Sequence, residues 1–93
     1  MSLDLLLGDV HSLKEKRSLV RPLVSELKRK FEVSAAEAGH LDLHRRALVG
    51  VAVVGADAQH CVDVLDACER FVASRPEVDV LSAHRQLHTD EDE

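Results

Sequence analysis

Ser12-Leu13-Lys14-Glu15-Lys16-Arg17, with the run that continues to Phe31, decides the fold of this 93-residue chain. Ser12 and Glu15 have the spacing of a capping box, in which a hydroxyl and a carboxylate three residues apart satisfy backbone donors at a helix start. Leu19, Val20, Leu23, Val24, Leu27 and Phe31 then recur at the spacing of an apolar helical stripe. At about 100° per residue, Lys14, Arg17, Arg21 and Lys28 gather on the opposite side. Pro22 cannot donate to the carbonyl of Ser18, which predicts a kink there or a separate first turn.

On either side of this helix the pattern changes to that of strands. Upstream, residues 3–10 read as a strand ended by Gly8-Asp9, with Leu3, Leu5 and Leu7 on one face and Asp4 and Leu6 on the other. Downstream, residues 33–39 form a weak, Ala-rich strand, and residues 39–44 connect it to a stronger one at residues 45–54. That strand is apolar on both faces, Val49, Val51 and Val53 against Leu48, Ala52 and Val54, which places it inside a sheet. Asp57 caps a second helix whose stripe is Cys61, Val64, Leu65, Cys68, Phe71 and Val72; Arg75-Pro76 stops it. Residues 77–87 supply a last strand.

The order strand–helix–strand–strand–helix–strand, with short connections, predicts an α+β ferredoxin-like sandwich. Its four-stranded antiparallel sheet has the order 4-1-3-2, and both helices lie on one face. Residues 1–88 are read as a single domain and residues 89–93, Thr89 followed by four acidic residues, as a solvated tail.

Composition narrows the function classes. Phe31 and Phe71 are the only aromatic residues apart from histidines, so the core is built from Leu, Val and Ala. No apolar run approaches the roughly 20 residues of a membrane helix, and Met1 to Leu7 lack the pattern of a secretory signal. Cytoplasm is therefore the expected compartment. Cys61 and Cys68 lie two helical turns apart, too far for a disulfide within one helix, and read as buried thiols. Net charge is −5 but polarised: seven Lys and Arg between Lys14 and Lys30 face only Glu15 and Glu26, leaving ten net negative charges elsewhere. Such asymmetry steers partners.

The motifs at Ser12-Leu13-Lys14-Glu15-Lys16-Arg17-Ser18, Arg21-Pro22, Val33 to Glu37, Asp42-Leu43, Arg45-Arg46-Ala47 and Gly50 to Val54 together resemble the YlxP-like family of small bacterial proteins. The resemblance runs nearly end to end. It implies a ferredoxin-like fold. Because relatives are often encoded among translation-initiation and ribosome-maturation genes, beside ribosome-binding factor A, it also implies a role around RNA or the ribosome. It supplies no catalytic residue. Only Met1-Ser2 precede Leu3 here, so a short first strand is expected. Leu41 and His44 stand where many relatives carry Gln and an aromatic residue.

The leading candidate site is a phosphate-tracking surface made by Lys14, Arg17, Arg21 and Lys28, with Arg45 and Arg46 from the connecting loop as a second basic cluster. The plainer reading of the same residues is a solvated helix face. Base stacking on the sheet is rejected, since Tyr and Trp are absent and both Phe lie in helical stripes. His40, Asp42 and His44 alternate as a two-His-one-carboxylate set would, and His84 and His88 share a face. As loop and terminal residues, both groups are more simply solvated, and no metal or cofactor is assigned. Asp9, His11 and Ser12 have the residue types of a nucleophilic site, but Ser12 is better explained as a cap. With no Gly-rich phosphate loop and no catalytic pair, the expectation is a non-enzymatic module. The alternative is a self-associating regulatory or scaffold protein that uses an open sheet face or an edge strand to form a homodimer or bind another protein.

Overall fold

The computed structural model describes residues 1–88; the acidic tail lies outside the described residues. The elements are β1 (Ser2–Leu7), α1 (Leu13–Phe31), β2 (Ser34–Gly39), β3 (Arg46–Ala52), α2 (Ala58–Ala73) and β4 (Val78–His84). The sheet order is β2-β3-β1-β4, antiparallel throughout, as expected for the ferredoxin-like sandwich.

The alternation along the strands places the core. Leu3, Leu5 and Leu7 of β1, Ala47, Val49 and Val51 of β3, Ala35 of β2 and Val78 of β4 are buried on one face. They pack with Val20, Leu23 and Leu27 of α1 and Leu65, Cys68 and Val72 of α2 in a single apolar cluster. Asp4, Leu6, Leu48 and Gly50, of opposite parity, remain partly exposed on the other face. Two register shifts interrupt this alternation, at β1–β4 between Asp4 and Leu5 and at β2–β3 between Glu37 and Gly39. They leave Leu81 and Ala38 as the extra residues of two bulges.

Strand limits contract relative to the hydropathy pattern. Residues 8–10 leave β1, since Asp9 adopts a left-handed φ of 53° and breaks the extended run, although Val10 still buries its side chain. Val53 and Val54 lie past the end of β3, and Val54 is almost wholly exposed. The last strand ends at His84 rather than Leu87. At the other end, the Met1 ammonium donates to the Val51 carbonyl and Val51 N–H donates to the Met1 carbonyl. Pairing with β3 therefore begins at the first residue.

The Ser12 cap forms as read: Glu15 N–H donates to Ser12 Oγ at 3.1 Å. The Glu15 carboxylate, however, accepts from His11 N–H, one residue before the cap. α1 runs as one helix through Pro22, so of the two expected outcomes the separate first turn does not form. Pro22 lies on an exposed position, so the Ser18 carbonyl it leaves unpaired can face water. The helix stops at Glu32, whose left-handed conformation (φ 54°, ψ 44°) brings its N–H to the Lys28 carbonyl.

Candidate nucleic-acid interface

The outer face of α1 carries the cations that its helical period assigns to it. Lys14, Arg17, Arg21 and Lys28 are all exposed, and none makes an ion pair among the described residues. They fall within about 60° of arc along about 21 Å of helix axis. Arg29, not counted on that face from the sequence, is exposed beside them and also unpaired among the described residues.

The remaining α1 cations are used internally. Lys30 lies over the Phe71 ring at 5.0 Å, and Arg75 lies 4.9 Å from the same ring. Phe71 meets Phe31 edge to face at 5.6 Å, and Arg75 also pairs with Glu26. This cluster joins the C-terminal ends of the two helices.

Lys16 is the residue that sequence reasoning missed. It is 2% exposed, its ammonium lies 2.7 Å from the Glu37 carboxylate, and it donates to the His40 carbonyl at 2.6 Å. The signal was present in the helical period. Lys16 precedes Val20, Leu23 and Leu27 by four, seven and eleven residues, which puts it on the core side of α1. Glu37 shares parity with Ala35 and pairs with Val49, so it lies on the helix-facing side of β2. Two charges that look misplaced in separate elements are partners across one seam.

Arg45 and Arg46 do not extend the α1 surface. Arg46 opens β3 on the sheet face away from the helices, where its guanidinium contacts both Asp4 carboxylate oxygens at 2.7 Å. These hydrogen bonds, helped by the nearby charges of Arg46 and His40, hold the Asp4 carboxyl below its usual range despite partial desolvation. Arg45 Nε donates to the Leu7 carbonyl at 3.0 Å. Arg46 is thus spent on the domain itself, whereas Arg45 is exposed and makes no ion pair among the described residues.

The histidine and nucleophile candidates disperse as well. His40 takes a left-handed φ of 57° and turns its ring to Asp4, with Nε2 3.4 Å from Oδ1. Asp42 and His44 are exposed. Among the described residues, no three His, Cys, Asp or Glu side chains are grouped as a metal site. His84 and His88 are exposed, and β4 ends at His84, before His88 is reached. Asp9 and His11 contact each other at 3.3 Å in solvent, while Ser12 is occupied with its cap.

Two concavities flank these features. One, of about 390 Å³, lies beside the start of α1, with Asp9, Glu15, Ser18, Pro22, Arg75 and Glu77 among its walls. The other is a shallow apolar depression over β2 and β3, formed by small side chains next to Met1. Cys61 and Cys68 are buried and unpaired, and burial pushes the Cys68 thiol upward. Among the described residues, no helix is long and apolar enough to cross a membrane.

These features define a small ferredoxin-like fold with one face of unspent cations. The profile of the family described as "Protein of unknown function (DUF503)" matches residues 1–85. The chain is also 32% identical over 71 residues to the "Uncharacterized protein YlxP" of Bacillus subtilis (strain 168), a match covering 76% of this chain and 77% of that one. The chain belongs to the DUF503 family and is YlxP-like.

Proposed function

We propose that this protein is a non-enzymatic binding module that contacts RNA phosphates, on the ribosome or during its maturation, through the outer face of α1. The observation that carries this reading is that Lys14, Arg17, Arg21 and Lys28 are exposed together without acidic partners among the described residues. Internal pairing would have neutralised them. Their attraction to a polyanion is sequence-independent and falls with salt as released counterions are drawn back. Arg46 is left out of the interface, because its guanidinium is committed to Asp4, while Arg45 keeps an exposed charge beside it.

The test is co-sedimentation with ribosomal subunits at low and high salt, comparing wild type with a Lys14→Glu, Arg17→Glu, Arg21→Glu variant. Wild type should pellet at low salt and be released at high salt, while the variant stays in the supernatant with an unchanged circular dichroism spectrum. Undiminished sedimentation of the variant would remove the reading.

A second reading, homodimerisation along β2, is favoured by the outer edge of that strand. β2 is a terminal strand of the sheet whose exposed Ser34, Ala36 and Ala38 offer no charge or proline to discourage pairing. A monomeric mass by light scattering at high protein concentration would end it.

A further inference from the structure

Resting on the phosphate-binding reading, we infer that the RNA partner is double-helical and that α1 lies across its minor groove. The first argument is the chemistry that is missing from the surface. Proteins that hold single strands combine a basic groove with aromatic side chains on which bases stack. This chain has no Tyr or Trp, and its two Phe rings pack against each other, with Phe71 also lying beneath Lys30 and Arg75. Neither Phe ring is left to receive a base, and no histidine lies within α1 among its cations.

The second argument is shape. The cations stand on a convex, rigid helix rather than in a groove, and they follow one line about 21 Å long. A flexible strand would lose conformational entropy to follow such a line. A duplex already holds its phosphates in fixed rows. The A-form minor groove is wide and shallow, with phosphates on both margins and 2′-hydroxyls on its floor, and recognition there proceeds by shape. A helix with its side chains is about 10–12 Å across and can rest on that surface with cations directed to both margins. Ser25, exposed about 20° outside that arc and between Arg21 and Lys28 along the axis, adds a hydroxyl suited to a 2′-hydroxyl.

The third argument is exclusion from the rest of the molecule. The sheet face away from the helices presents Asp79 beside the neutralised Asp4–Arg46 pair, and the cleft at the start of α1 sets Asp9, Glu15 and Glu77 against Arg75. Both repel a strand that wraps around the domain. A straight duplex touching only α1 avoids them.

The experiment is fluorescence anisotropy with a short labelled RNA duplex and, separately, one of its strands chosen to be unable to self-pair. The duplex should bind at least about ten-fold more tightly than the strand. With four phosphate contacts, its affinity should fall about a hundred-fold between 50 and 200 mM salt. Lys28→Glu should reduce the salt slope by about one contact, and the triple glutamate variant should abolish binding. If the single strand binds as tightly as the duplex and the triple variant loses both, the duplex inference is overturned while phosphate binding stands. If neither RNA binds, or the triple variant binds like wild type, the underlying reading fails.

Discussion

Replacing Lys16 with Met tests the least expected contact in the fold. The substitution keeps most of the aliphatic volume but leaves the Glu37 carboxylate without its counter-ion and the His40 carbonyl without a donor. Removing one member of a fully buried pair costs about 3–5 kcal/mol. Here Lys16 is 2% exposed, but Glu37 keeps 22% of its side-chain surface in water, so the remaining carboxylate is partly solvated. The expected loss is therefore about 2–3 kcal/mol. For a domain of this size that corresponds to a fall in Tm of about 10–20 °C. With no Trp or Tyr to report fluorescence, urea unfolding should be followed by far-ultraviolet circular dichroism. The double variant Lys16→Met, Glu37→Leu removes both charges, and it should return to within about 1 kcal/mol of wild type or exceed it. A single variant that unfolds at the wild-type midpoint would refute the reasoning, as would a double variant as unstable as the single.

Two further outcomes follow from local geometry. Glu32→Gly should raise stability by about 0.5–1 kcal/mol in the same urea assay, because Glu32 ends α1 in a left-handed conformation that Gly adopts without a Cβ penalty. Since Arg46 holds the Asp4 carboxyl low, its contribution is present above the ordinary carboxylate range and is lost as pH falls through the depressed folded value. The stability gap between wild type and Asp4→Asn should accordingly narrow below about pH 4, and a gap constant with pH would contradict the pairing.

Much of the architecture was legible because it rests on local periodicity. The Ser12 cap, the α1 stripe, the Cys61–Cys68–Val72 stripe and the alternation in β3 are each set by residues close in sequence, and each formed. The exposed line of Lys14, Arg17, Arg21 and Lys28 was legible for the same reason. Pro22 does not split off a separate first turn, because the cost of its missing donor depends on whether the orphaned carbonyl reaches water.

What local pattern could not settle was which of two apolar faces is covered. Val49 and Val51 turn inward and Leu48, Gly50 and Ala52 outward only because pairing with β1 places Val49 beside Leu3 beneath the helices. The partnership of Lys16 with Glu37 spans two elements and depends on how α1 packs on β2. The fate of Arg45 and Arg46 likewise turned on residues 38 and 42 positions away, Leu7 and Asp4. A residue's helical or strand face follows from chain geometry, so sequence alone determined the elements and the cationic line. Which charges are neutralised depends on what folding brings within a few ångströms, and only the tertiary structure decided that.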